Sequence, residues 1–225
     1  MLHPCMSPRN HAEELFAEKE QLAIGTVRSL VQSLEDRDSY TKGHSDRVAA
    51  MAEAVGYTPE ALRKLHLTGV LHDIGKIGVS DIVLNKPGRL TDEEFDQIKQ
   101  HPTIGYQILK PVESLSYVLN GVLHHHENVE GTGYPHGLAG EDIPLDARIL
   151  AVADAFDAMT SDRPYRAGLP VEKAQSILKE GSGTQWDAEI IQSFFDNFGK
   201  LRKSCCFEAS ASTPDVAIVS TGACR

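Results

Sequence analysis

Asp154 stands inside the apolar run Ile149-Leu150-Ala151-Val152-Ala153-Asp154-Ala155-Phe156, with Asp157 one turn further on. A carboxylate on the apolar face of a helix costs several kcal/mol unless it is paired or bound to a metal. Taken alone, such an aspartate is more often paired with an arginine or a backbone amide. His72-Asp73 closes a second apolar segment, and His44, His101 and the run His124-His125-His126 stand ahead of or between others. Each is weak alone, since a histidine near an apolar face is usually a satisfied core residue. Their joint recurrence at the ends of consecutive helices changes the balance, because bundles build metal sites by converging such side chains.

Mixed imidazole and carboxylate ligation suits iron, manganese or zinc better than calcium or magnesium. Seven candidates, His44, His72, Asp73, His101, His125, His126 and Asp154, are too many for one ion. They suit two ions roughly 3.5–4 Å apart that share a carboxylate, and Asp73, with a histidine immediately before it, is the natural bridge. Lys76 follows Asp73 by three and His72 by four. It shares their face if the helix continues, or reaches in from a loop if Gly75 ends it. Either way its cation suits a phosphate oxygen or the protonation of a leaving alkoxide.

The elements that must position these residues are helical. Residues 11–36 carry a coiled-coil-like stripe through Phe16, Ala23, Val27, Leu30 and Leu34. The stripe fits equally a helix packed on its own domain and a paired helix that would make a homodimer. Pro59 opens the segment leading to His72-Asp73, and Thr91-Asp92-Glu93-Glu94 reads as a capping box. Two further helices are expected at 104–109 and 115–126, then one each on 145–160, on 171–180 after Pro170, and on about 187–198. Between His126 and Pro144 runs a Gly-rich segment that reads as a binding loop rather than core. No strand pattern is convincing, so the fold is expected to be all-α. Residues from about 203 onward lack a helical period and read as a tail.

Bulk properties narrow the field. The chain has 225 residues with 22 basic and 32 acidic side chains, a formal charge of −10. That balance gives no long-range attraction to DNA, RNA or an anionic membrane, so attraction for a phosphorylated substrate must be local, as from bound metal. No apolar run is long enough to span a bilayer, and the N-terminus lacks a signal-peptide stretch, which points to the cytoplasm. Cys5, Cys205, Cys206 and Cys224 lie near the ends with no zinc-site spacing.

The order His44, His72-Asp73-Ile74-Gly75-Lys76, His101, His125-His126-Glu127, Gly133-Tyr134-Pro135 and Asp154, through to Asp162-Arg163-Pro164-Tyr165-Arg166, resembles the HD-GYP domain over about residues 36–196. The resemblance implies an HD-domain helical bundle, preceded by a helix or connector at 1–35, occupying 36–200, and followed by a tail at 201–225. It implies hydrolysis of cyclic di-GMP to linear pGpG, and onward to GMP, through a metal-bridging hydroxide. On it, His44, His72, Asp73 and Asp154 hold one metal, and His101, His125 and His126 hold the second, with Asp73 shared. Iron or manganese is favoured, with zinc as the alternative. Lys76 and Asp73 fall in the catalytic set. Gly133, Tyr134 and Pro135 form one wall, and Arg163 and Arg166 meet the substrate's phosphates or guanines.

Two departures stand out. Tyr40 occupies a position where some members carry a glutamate that completes a third metal site, so two ions are expected. The loop reads Asn128-Val129-Glu130-Gly131, which keeps an acid before the glycine but alters its surroundings. His124 lies outside the matched pair and is expected to face solvent. A different cyclic nucleotide, such as a cyclic GMP-AMP, remains an alternative substrate. A non-catalytic module binding cyclic di-GMP or a signalling partner protein would instead predict a missing ligand, and no ligand is missing.

Overall fold

The computed structural model describes residues 8–37, 44–53, 59–162 and 167–204. Tyr40, Arg163, Arg166, the four cysteines and the tail from 205 lie outside the described residues. Among those described are ten α-helices: α1 (Pro8–Arg37), α2 (His44–Glu53), α3 (Pro59–Leu71), α4 (Asp81–Leu84), α5 (Asp92–Ile98), α6 (His101–Leu109), α7 (Leu119–His124), α8 (Leu145–Thr160), α9 (Val171–Glu180) and α10 (Ala188–Ser204). Short 3-10 turns join several of them, and the only β pairing among the described residues is two isolated bridges, Glu130 with Ala139 and Ser182 with Trp186. The all-α expectation holds.

Local signals act where they were read. Thr91 Oγ1 accepts the Glu94 amide at 3.3 Å while Glu94 Oε2 accepts the Thr91 amide at 2.7 Å, so the capping box starts α5. Pro170 sits at the N-cap of α9. The segment expected as one helix at 115–126 is instead a 3-10 turn at Glu113–Val118 followed by α7, which stops at His124. The last helix runs on to Ser204.

Two apolar clusters make the core. One gathers Val48 and Met51 of α2, Leu65 of α3, Leu150 and Phe156 of α8, Leu178 of α9 and Phe194 of α10. The other gathers Leu67, Val70 and Leu71 of α3 with Leu109, Leu115, Val118 and Val122. α3 feeds both, so its C-terminal end, His72-Asp73, emerges between them. Burying each large apolar side chain contributes about 1.5–3 kcal/mol before the entropy of ordering is subtracted.

α1 joins the second cluster through Val27 and Val31, with Ile24 packed beside them. Its C-terminal half therefore rests on α3 and on the 3-10 turn at Ile74–Gly78. Leu30, read as part of the apolar stripe, is 44% exposed. Val31 replaces it because α1 presents the face carrying residues 24, 27, 31 and 34.

Close backbone approach fixes one glycine in this frame. A Cβ on Gly75 would lie 1.9 Å from the His101 carbonyl oxygen, so only glycine lets that turn pack on the start of α6.

Candidate metal centre

Six residues from four helix ends and one from a helix interior converge. His44 is the first residue of α2, His72 and Asp73 follow α3, His101 begins α6, and His125 and His126 follow α7. Asp154 alone comes from mid-helix, in α8. The structure brings all seven sequence-predicted residues together in overlapping groups. His44, His72 and Asp154 form one group and His101, His125 and His126 another, each offering atoms within 4.8 Å of one another.

Asp73 lies between them and turns a different oxygen to each. Its Oδ2 is 3.7 Å from His44 Nε2 and 3.4 Å from His72 Nε2, while its Oδ1 is 3.2 Å from His101 Nε2. Asp154 Oδ1 lies 3.2 Å from His44 Nε2 and 3.9 Å from His72 Nε2.

Backbone carbonyls set the tautomers. His72 Nδ1 donates to Gly69 O at 2.6 Å, His101 Nδ1 to Ile98 O at 2.7 Å and His125 Nδ1 to Val122 O at 2.8 Å. A carbonyl oxygen can only accept, so each Nδ1 carries the hydrogen and each neutral ring presents the Nε2 lone pair. Two of those lone pairs then face each other, His101 Nε2 and His125 Nε2 at 3.2 Å. His72 Nε2 is buried with no hydrogen-bond partner. Opposed lone pairs and an orphaned buried nitrogen beside carboxylates fit a cation between them, and the N/O donor set fits a first-row divalent metal.

Electrostatics agree with that donor set. Burial pushes His126 down to about 3, helped by His101, and holds His72 and His125 below the usual imidazole value. Burial would raise Asp73, but the Lys76 ammonium beside it leads the opposing effects and the carboxyl is held well below its ordinary range. Asp154 is likewise held down against burial, chiefly by His44. His44 is the exception: burial alone would depress it, yet Asp154 and Asp157 push it up to about 10.

Around these residues sit Asp157, Arg47 and Glu127, which the sequence reading left without a role. Asp157, 1% exposed, accepts His44 Nδ1 through Oδ2 at 2.7 Å and Arg47 Nε through Oδ1 at 2.7 Å. Glu127, 3% exposed, accepts the backbone amides of His136 at 2.8 Å and Leu138 at 3.1 Å, pinning the Gly-rich loop. Spacing within α8 puts Asp157 one turn from Asp154, but nothing local names its partners in α2.

The loop lies against the centre. Tyr134 stacks on the His126 ring, centroids 4.8 Å apart and planes at 28°. Burial, Asp73 and Asp154 raise its phenol above the usual value, so it stays protonated. A Cβ on Gly133 would lie 2.3 Å from the Asn128 amide nitrogen and 2.4 Å from Glu127 Cα, which is why the loop has glycine there. Asn128 and Glu130 are used within the loop itself, both bonded to Thr132.

Lys76 sits in the 3-10 turn at Ile74–Gly78, not on a continued α3, and its Nζ is 2.6 Å from Asp73 Oδ2. His124, expected at the surface, is 8% exposed. Its Nδ1 donates to Asn120 O at 3.0 Å and the His136 ring covers its other side, with Nε2 3.1 Å from His136 Nδ1.

Comparison with known proteins decides the family. The HD domain profile matches residues 13–190. The chain belongs to the HD domain family. A cyclic di-GMP phosphodiesterase of Thermotoga maritima is 41% identical over 189 residues, which cover 81% of this chain and 51% of the relative. The 3'3'-cGAMP-specific phosphodiesterase 3 of Vibrio cholerae is 38% identical over 169 residues, covering 73% of this chain and 37% of the relative. Bd1817, an HDG"Y"P protein from Bdellovibrio bacteriovorus, shares the fold with a TM-score of 0.60 at 22% identity, covering 84% of this chain and 68% of that one. The chain spans about half the length of the first of these curated relatives. These matches bear out the HD-GYP resemblance read from the residues.

Proposed function

We propose that this HD domain is a metal-dependent phosphodiesterase that hydrolyses cyclic di-GMP to linear pGpG, with two divalent ions, iron or manganese before zinc. The observation that carries the reading is Asp73, whose two oxygens face two separate imidazole groups. His44, His72 and Asp154 would hold one ion and His101, His125 and His126 the other, with Asp73 common to both. When bound, such ions supply Lewis acidity towards the phosphodiester and a water ionised near neutral pH.

The chain's own residues supply the rest. Asp157 and the carbonyls of Gly69, Ile98 and Val122 hold the imidazoles in the required tautomer. Lys76, beside Asp73, is placed to meet a phosphate oxygen or to give a proton to the leaving alkoxide. Tyr134 stacks on the His126 side of the centre, where Gly133, Tyr134 and Pro135 would form one wall. Arg163 and Arg166 are the candidates to bind the phosphates or guanines through their planar forks. The phosphohydrolase unit spans 36–200, between a connector at 1–35 and a tail at 201–225, and works in the cytoplasm. Among the described residues no helix is long and apolar enough to cross a membrane.

A cyclic GMP-AMP is the second substrate reading, favoured by the cGAMP-specific relative at 38% identity. The test is to purify the protein without chelator, count its metals, and assay cyclic di-GMP and 3'3'-cGAMP beside Asp73→Ala. About two ions per chain that depend on the central cluster, and linear product from cyclic di-GMP, both lost in the variant, are expected. Faster cleavage of 3'3'-cGAMP would replace the substrate. Folded protein that binds no metal and cleaves neither would overturn the enzyme.

A further inference from the structure

His124 is built like the histidines of the central cluster but points away from it. Its Nδ1 donates to the Asn120 carbonyl at 3.0 Å, one turn back in α7, as His72, His101 and His125 donate to carbonyls behind them. That bond commits Nδ1 to the hydrogen and leaves the Nε2 lone pair turned to the Gly-rich loop. Facing it at 3.1 Å is Nδ1 of His136, twelve residues on in the Gly-rich loop. Glu127 completes the group, with a carboxylate oxygen and one nitrogen from each ring all within 4.8 Å. Both Glu127 oxygens accept loop amides, yet each keeps a second lone pair.

We propose that His124, Glu127 and His136 form a separate site for a divalent ion of the zinc or cobalt class. Two imidazoles and one carboxylate are a donor set that zinc takes with a water as fourth ligand. His124 and Glu127 are buried, and His136 is exposed, so the fourth position opens towards solvent. The ion ties the loop that carries Tyr134 to the end of α7, from which His125 and His126 project. It acts as a clip on the loop, outside the central cluster, and shares no donor with it. The site does not depend on the phosphodiesterase reading.

Cobalt(II) titration of the full chain tests it, read by elemental analysis after desalting and by the visible d–d bands of the bound ion. Wild type is expected to hold about one ion per chain more than His136→Gln, and the bands of that ion vanish in both His136→Gln and His124→Gln. His136 is an exposed loop residue, so its variant keeps the fold. Asp73→Ala, which removes the oxygen pair common to the central cluster, still shows the His136-dependent ion. Equal metal counts and unchanged bands in wild type and both variants would overturn the site and leave an imidazole–imidazole hydrogen bond in its place. An additional ion that survives both substitutions overturns it equally.

Discussion

Asp157 Oδ2 takes the Nδ1 hydrogen of His44 across a gap of 113 residues, at 2.7 Å, and so turns His44 Nε2 towards Asp73 and Asp154. Its other oxygen holds Arg47. One buried carboxylate thus fixes the ring orientation of a candidate metal ligand and neutralises the guanidinium beside it.

Asp157→Asn preserves shape but removes the charge that both partners use. Losing an outer partner of a metal-bound histidine typically weakens metal affinity or activity by about 10–100-fold. Competition with a graded chelator, alongside circular dichroism to verify the fold, checks this. Unchanged metal retention in a folded variant would mean that His44 needs no such support.

Glu127→Gln leaves one acceptor where two backbone amides, those of His136 and Leu138, now bond. One buried amide loses its partner, at about 1–3 kcal/mol. The cost falls on the loop, so KM should rise more than kcat falls while the central cluster keeps its metals. Gly133→Ala should act in the same direction and more strongly, because the added Cβ collides with backbone and not with a flexible side-chain end. A variant with ordinary KM in both cases would show that the loop does not meet substrate.

Phe156 is fully buried between α8 and α10, its ring 5.2 Å from that of Phe194 and 5.5 Å from that of Phe198. Phe156→Ala leaves a cavity and should destabilise the fold by about 3–5 kcal/mol. Urea unfolding measures it. A change under about 1 kcal/mol would mean that α10 closes the gap, which well-packed interiors rarely allow.

Asp187 couples stability to pH. Burial opposes its ionisation, but Arg148 and the amides of Ile190 and Glu189 prevail and hold its carboxyl below the usual value. The unfolded chain then binds more protons in the interval between the two pKa values. The stabilisation is complete above the unfolded value of about 4 and is lost as pH falls through the lower folded one. The stability difference between wild type and Asp187→Asn should therefore be flat from about pH 5 to 7 and shrink in more acid solution. A difference that persists unchanged at low pH would assign the effect to packing.

Much of this molecule is local in origin, and that part was legible. Residue type and apolar context marked His44, His72, Asp73, His101, His125, His126 and Asp154, because a polar group on a buried helical face is costly enough to need a reason. Helical periodicity and the Thr91 capping box gave the all-α class, since both depend on residues within one or two turns. The relationships that finish the centre are not local. Arg47 and His44 meet Asp157 across 110 and 113 residues, and no pattern within α8 reveals which helix it faces. His124 was expected at the surface, and only the return of the loop, bringing His136 over the end of α7, buries it. The stripe on α1 likewise could not say which of its residues would be covered within the chain. Packing on α3 buries Val27 and Val31 and leaves Leu30 exposed. Which oxygen of Asp73 serves which imidazole group is of the same kind: a side-chain orientation set by four helices at once, and so by tertiary packing alone.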